Sequence, residues 1–193
     1  MPHRMFVAVV PPEDVVEELE DFLAPRREAG DFRWTVAASW HVTLAFLGRV
    51  PEPTLDDLEE RLDRAARRRA PFTLRLGGGG AFPDVAHAKL VYADVRGEEQ
   101  DREELRRLAT GARAAAARAG APPDGARFRP HVTLARTRRP ADVVRWVRLL
   151  EGWASRPFLV EEAVLVESFL GEGPRGRPRY EVRSTHPLGR TGG

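Results

Sequence analysis

The sequence predicts a protein of mixed helices and strands, α+β or α/β, built as two related lobes. Three observations carry that expectation. Short apolar runs of strand character are interspersed with amphipathic stretches of helical period along the whole chain. The tetrapeptide HVTL occurs twice, at 41–44 and at 131–134, and the second half repeats the pattern of the first inexactly. No linker or low-complexity stretch separates the halves, and 193 residues suit one good-sized domain with a real core.

Taken in order, MFVAVV (5–10) reads as a short buried strand closed by Pro11-Pro12. Glu13 and Asp14 suit the first turn of a helix, and Val15, Val16, Leu19, Phe22 and Leu23 follow at helical spacing. FRWTV (32–36) is a candidate short strand and WHVTLAFLG (40–48) a stronger one. A second amphipathic helix is expected from Thr54 to Arg69, with Leu55, Leu58, Leu62 and Ala65 on one stripe. FTLRL (72–76) and AKLVYADV (88–95) read as strands around a glycine-rich turn. Residues 99–119 form an alanine-rich helix with Leu105, Leu108, Ala112 and Ala115 inward. RFRPHVTLAR (127–136) reads as a strand, and Ala141 to Leu150 as a helix. PFLVEEAVLVESFL (157–170) and RYEVR (179–183) read as strands joined by the basic turn GEGPRGRP, and the tail at 188–193 is expected to fray.

Composition excludes several classes. The apolar fraction of 42% and charged fraction of 31% are those of an ordinary globular protein. No apolar run approaches the roughly 18 residues of a membrane-crossing helix. MFVAVV stops too early for the core of a signal peptide, so a cytoplasmic protein is expected. The absence of cysteine rules out disulfides, thiolate nucleophiles and cysteine zinc sites. Net charge is only +2, but Lys89 is the sole lysine, so nearly all the positive charge is guanidinium, which grips phosphate as a fork. Arginines such as Arg67, Arg68 and Arg69 read as a solvated helix face.

The repeated motif carries the chemistry. Side chains alternate along a strand, so His41 and Thr43 leave one face while Val42, Leu44 and Phe46 leave the other; His131 and Thr133 oppose Val132 and Leu134 in the same way. Packing alone does not ask for an imidazole beside a hydroxyl. A lone HxT is more often structural, and duplication of a structural strand remains an alternative, but chance recurrence of all four letters is well below about one in a hundred at average usage. Two histidines in mirrored settings suit a reaction needing one proton removed and another delivered, since imidazole titrates near neutrality. A threonine over the same patch donates to an oxyanion, and phosphodiester cleavage fits this set best. Hydrolytic zinc usually takes three protein ligands; each HxT offers one, and no third ligand sits nearby at suitable spacing.

The pair of HVTL motifs resembles the 2H phosphoesterase superfamily. More closely, the chain is similar to bacterial RNA 2′,3′-cyclic phosphodiesterases, also called 2′-5′ RNA ligases, through RMFVAVVPP, WHVTLAFLGRV, the GGAFP segment at 79–83, RPHVTLAR and ESFLGEGPRGRPRYEV. The resemblance implies a bilobal α+β fold, two pseudo-symmetric sheet-plus-helix lobes flanking a central cleft, spanning 1–193 as one domain. It implies opening of a 2′,3′-cyclic phosphate at an RNA end to leave a 2′-phosphate. His41 would then be the proton donor to the leaving 3′ oxygen and His131 the proton acceptor from water, with Thr43 and Thr133 on the non-bridging oxygens. No cofactor or metal is implied. The partners would be RNA ends or nucleotides carrying the cyclic phosphate, not a membrane, and the protein a monomer. The two motifs are locally identical, so the residues themselves do not assign acid and base. A 2′-5′ ligase, another 2′-linked or cyclic phosphodiesterase of this fold, and a non-catalytic RNA-end binder stay open.

The remaining candidates are Arg136, Phe46 and Arg177. Arg136 follows the second motif, but strict alternation turns it away from His131 unless the strand ends or twists there. Arg175, Arg177 and Arg179 make a basic turn suited to steering an RNA backbone, or equally a solvated loop. Phe6, Phe46 and Phe82 offer stacking surface for a base, with core packing the favoured role. Gly77 to Gly80 lack the GK[ST] of a phosphate loop and read as a flexible strand connection. His3, His87 and His186 have no matching threonine and read as incidental.

Overall fold

The computed structural model describes residues 1–125 and 127–189. Along the chain run β1 (His3–Val9), α1 (Glu13–Leu23), β2 (Phe32–Trp34), β3 (Val42–Val50), α2 (Leu55–Arg67), β4 (Phe72–Phe82), β5 (Ala88–Arg96), α3 (Glu99–Arg118), β6 (His131–Ala141), α4 (Val144–Glu151), β7 (Phe158–Val160), β8 (Glu162–Phe169) and β9 (Arg179–Pro187). The two motif strands, β3 and β6, meet at the centre of a sheet through a single antiparallel pair, Val42 with Val132. From that seam the sheet runs outward in two matching series, β3-β1-β8-β9 on one side and β6-β5-β4-β7 on the other. β2 pairs with β6 beyond the seam. The architecture is the expected α+β arrangement of two pseudo-symmetric lobes.

The match between lobes extends to a backbone irregularity. On β3, Thr43 faces Ala8 and Ala45 faces Val7, so Leu44 is an extra residue; on β6, Thr133 faces Tyr92 and Ala135 faces Val91, so Leu134 is extra. Each motif strand therefore carries a β-bulge one residue past its threonine, and a bulge puts two residues against one and resets the alternation. Leu44 and Ala45 are both buried, as are Leu134 and Ala135. The residues that follow, Phe46 and Arg136, are thereby turned to the histidine face. Simple alternation places both on the opposite face, and the bulges correct that.

The helices bury the stripes their periodicity predicts. α1 begins just after Pro11-Pro12 and buries Val15, Leu19 and Leu23. α2 buries Leu55, Leu58, Leu62 and Ala66, one position beyond the expected Ala65. The inward face of α3 is Leu105, Leu108, Ala109, Ala112, Ala115 and Ala116, small enough for α2 and the sheet to approach closely. β1 is buried from Met5 to Val9 because both its faces are covered. Met5, Val7 and Val9 join the main core, while Phe6 and Ala8 join a smaller cluster with Val164, Val166 and Phe46 on the cleft side. No helix among the described residues is long and apolar enough to cross a membrane.

Three expectations are corrected. Gly77 to Gly80 are not a turn: β4 runs through them, bending at a register shift between Leu76 and Gly79. α4 lies against this stretch, and a Cβ on Gly79 would stand 2.6 Å from Leu150 Cδ1, so bare backbone is what lets the helix dock. PFLVEEAVLVESFL is not one strand. It splits at Glu161 into β7 against β4 and β8 against β1, strands far apart in the sheet order, so one intervening residue requires the sheet to curl. The tail is anchored further than expected, since Leu188 is buried and its N–H donates to the Glu161 carbonyl at 2.8 Å. Residues 190–193 of that tail lie outside the described residues.

Candidate active site

The antiparallel seam determines the layout of the polar groups. Val42 opposite Val132 joins the two motif strands, so His41 and Thr43, which flank Val42, and His131 and Thr133, which flank Val132, are brought to one seam, an imidazole and a hydroxyl from each lobe. All four are half-buried between fully buried neighbours, Val42 and Leu44 on one strand and Val132 and Leu134 on the other.

Each ring is held by the same device. His41 Nδ1 lies 2.8 Å from the Ser39 carbonyl, and His131 Nδ1 lies 2.7 Å from the Arg129 carbonyl. A carbonyl only accepts, so Nδ1 carries the hydrogen in both, and Nε2 is the atom free for chemistry. Burial pushes both imidazoles below their ordinary pKa. For His41, the Ser39 bond opposes that shift and the charge of His131 adds to it. For His131, the Arg129 bond opposes, Arg136 adds to the lowering, and Asp94 pulls the other way.

The surroundings of the two rings differ. Phe6 stacks on His41 at 4.4 Å between centroids with planes 20° apart, and Tyr180 meets the same ring edge-on at 5.8 Å. His131 is flanked by Phe82 at 5.0 Å and Tyr92 at 5.2 Å. A cavity of about 380 Å³ opens on the His131 side, lined by Phe82, Tyr92, Asp94, Arg129 and His131 among others. Asp94 is the cross-strand neighbour of His131 on β5.

Of the predicted site residues, the structure brings together His41, Thr43, His131 and Thr133, and adds Arg136 and Phe46 through the bulges. Arg136 is exposed on the histidine face to which its bulge turns it, and its charge works to lower the pKa of both His131 and Tyr180. Phe46 packs beside Phe6, and the Arg4 guanidinium lies 4.5 Å over its ring. Arg177 is not brought in: among the described residues no hydrogen bond, ion pair or ring contact joins it to the cleft. Its place at the end of a short 3₁₀ turn, Pro174–Gly176, is where its carbonyl accepts the Gly173 N–H at 2.7 Å. Arg179 is occupied by Glu172 at 2.6 Å and by Glu181. The strand after this turn reaches the cleft through Tyr180 instead. Phe6 and Phe82, for which core packing was favoured, are packed and also touch the histidines.

Sequence reasoning missed Tyr180, Tyr92, Asp94 and Arg4, whose local sequence has no signal beyond strand propensity. His3, by contrast, sits between Glu167 and Glu52, and His186 Nδ1 lies 2.9 Å from Asp63, both away from the cleft. Among the described residues no group of three or more His, Asp or Glu side chains gathers as a metal site.

A curled sheet that presents one His-x-Thr strand from each lobe to a shared cleft is the 2H phosphoesterase fold, and solved structures of that kind superimpose on it. A crystal structure of TT0787 of Thermus thermophilus matches with a TM-score of 0.79 and 32% identity, covering 98% of this chain and 100% of that one. Escherichia coli LigT complexed with 3′-AMP matches with a TM-score of 0.77 and 27% identity over 97% of this chain and 99% of LigT. The chain belongs to the 2′-5′ RNA ligase superfamily, whose family model matches residues 8–171. Relatives named RNA 2′,3′-cyclic phosphodiesterase include those of Thermus thermophilus, 30% identical over 96% of this chain and 99% of the relative, and of Escherichia coli, 30% identical over 93% of each.

Proposed function

We infer that the protein hydrolyses the 2′,3′-cyclic phosphodiester of an RNA end to a 2′-phosphomonoester, using two histidines and no metal. The observation that carries this is the pair of free Nε2 atoms, one from each lobe, held by equivalent Nδ1–carbonyl bonds and flanked by Thr43 and Thr133. The activity named for relatives that match over nearly the whole chain supports it.

His41, protonated, gives its Nε2 proton to the leaving 3′ oxygen as that bond to phosphorus breaks. His131, neutral, takes a proton from the attacking water. Arg136 favours the neutral state of His131, which suits a base. Thr43, Thr133 and the Arg136 guanidinium stabilise the non-bridging oxygens as charge accumulates on them. Phe46 and Phe6 form the apolar wall on the His41 side. The cavity beside His131 admits water, which is in great excess over any 5′-hydroxyl, so hydrolysis outruns ligation. Action on RNA ends in the cytoplasm, as a monomer and without a membrane, belongs to the same reading.

The test is incubation with a nucleoside 2′,3′-cyclic monophosphate in EDTA, resolving the 2′- from the 3′-phosphate. Undiminished formation of the 2′-phosphate is expected. Exclusive 3′-phosphate, or turnover abolished by EDTA, overturns the scheme. Tight binding of the cyclic end without turnover would favour the non-catalytic RNA-end binder.

A further inference from the structure

Beyond the reacting phosphate, we propose that Arg33, paired with Arg136 across β2 and β6, holds the phosphodiester one nucleotide upstream of the cyclic end, so the cleft reads an RNA chain and not only its terminal nucleotide. The inference rests on the hydrolase reading above.

Arg33 and Arg136 are direct cross-strand partners, so their side chains leave the same face of the sheet. The bulge at Leu134 and Ala135 makes that face the cleft face. Both residues are exposed. Like charges placed directly opposite on a sheet are unfavourable, and here no carboxylate offsets them. Asp31, two residues away on the same segment, is held by Arg138 at 2.9 Å. Among the described residues neither Arg33 nor Arg136 has an acidic partner within ion-pair distance. The helices behave otherwise: Arg61, Arg64 and Arg67 on α2 each pair with an acidic residue four positions earlier.

Docking of β2 does not require Arg33. Phe32 and Trp34, on the strand's other face, anchor it against Trp146, each with ring centroids 5.3 Å from that indole. A pair of guanidiniums without counter-charge beside a phosphate-handling cleft is the arrangement a second phosphate group satisfies.

The pseudo-symmetry gives direction. At the equivalent place in the other lobe, Phe46 stands opposite Asp124, whose carboxylate accepts the Gly48 N–H at 3.1 Å. The guanidinium pair stands on the β2–β6 edge, whereas on the counterpart the one guanidinium named, Arg4, lies 4.5 Å over the Phe46 ring and Asp124 supplies a carboxylate. A cyclic 2′,3′-phosphate ends the chain, so the one phosphodiester remaining next to it lies on the 5′ side, and that group takes the basic edge.

The experiment compares a nucleoside 2′,3′-cyclic monophosphate with the dinucleotide carrying the same terminal nucleoside and cyclic end, which adds one phosphodiester. Wild-type protein, Arg33→Ala and Arg33→Lys are assayed on both. Arg33→Ala is expected to raise KM for the dinucleotide about tenfold and to leave the mononucleotide kinetics within about twofold, with Arg33→Lys recovering part of the loss. The salt dependence of log kcat/KM for the dinucleotide is expected to become shallower by about 0.7, the increment for one phosphate contact on a single strand. Unchanged dinucleotide kinetics in Arg33→Ala, or a parallel loss on both substrates, overturns the proposal. Inactivity of the wild-type protein on the mononucleotide is the failure of the hydrolase reading itself, and it is seen before any variant is made.

Discussion

Replacing each histidine by asparagine separates chemistry from architecture at this site. The asparagine amide nitrogen occupies the place of Nδ1, so it still donates to the Ser39 or Arg129 carbonyl, now 2.8 and 2.7 Å from the ring. No atom replaces Nε2. Removing a general acid or base costs about 10²- to 10⁴-fold in turnover, which at 1.36 kcal/mol per tenfold is about 3–5 kcal/mol of barrier. The structural cost is smaller. His41→Asn forfeits its stack on Phe6, and an aromatic pair contributes about 0.5–1.5 kcal/mol. In a chain of 193 residues each kcal/mol moves Tm by about 2–4 °C. The expected outcome is a rate loss of at least about a hundredfold in His41→Asn and in His131→Asn, with Tm lowered by only a few degrees. The double variant is expected to be little slower than the worse single one, because two groups acting in one step do not add. Rates come from hydrolysis of a nucleoside 2′,3′-cyclic monophosphate, and Tm from thermal melting monitored by circular dichroism. Either single variant within tenfold of the parent, or a loss that tracks unfolding, would refute the two-histidine scheme.

Three further outcomes are expected. Burial holds both imidazoles below 6.5, and kcat/KM reports the free enzyme, so its pH profile is a bell whose maximum, lying between the two pKa values, falls below pH 6.5; a rate still rising at pH 8 contradicts this. Thr43→Val and Thr133→Val each remove one hydrogen bond to a charged oxygen, about 1.5–3 kcal/mol, and slow turnover by about 10- to 150-fold with near-native melting; an unchanged rate confines the hydroxyls to a structural role. Gly79→Ala drives a Cβ to within 2.6–2.7 Å of Leu150 and costs about 1–3 kcal/mol as overpacking, read as a lowered midpoint in urea unfolding; an unmoved midpoint shows that α4 can shift away.

The parts of this molecule that were legible in its sequence are those that depend on near neighbours. Helical period located the buried stripes of α1, α2 and α3 because Leu19, Leu58 and Leu105 report their own spacing. The repeated HVTL disclosed two lobes and four of the polar groups. What was illegible depends on partner strands. The bulges that turn Phe46 and Arg136 to the cleft exist only relative to Val7 on β1 and Val91 on β5. Nothing in AVLVES or FLVEEA says that the run divides between β4 and β1, because each half is apolar enough to be buried either way. Tyr180 was hidden for the same reason: it meets His41 only because β8 and β1 carry β9 round to the cleft.

Identical motifs raise the question of how one ring becomes the acid and the other the base, and the electrostatics supply an answer that does not require the motifs to differ. On the proposed reading, the useful state of the cleft holds one proton on two imidazoles. Burial disfavours charge on both rings, and a charged His131 further disfavours charge on His41, so the doubly protonated state is penalised twice. Like-charge coupling of this kind separates the first and second protonation steps of a pair, widening the pH window in which a single proton is shared. Burial acts first on both rings, and the residue each bulge delivers adds a further bias to which ring carries the proton. The same backbone device turns the apolar Phe46 of β3 and the cationic Arg136 of β6 to the cleft face, so charge is repelled from His131 by Arg136 and from His41 by no residue of its own strand. Asp94 opposes that bias from β5. Exchanging the two delivered residues, Phe46→Arg with Arg136→Phe, therefore acts on the proton's location without touching either histidine. It is expected to move the pH profile of kcat/KM further than Arg136→Phe alone, which already slows turnover by taking the guanidinium from the non-bridging oxygens. A double variant with the parent's rate and pH profile would show that the bias arises elsewhere.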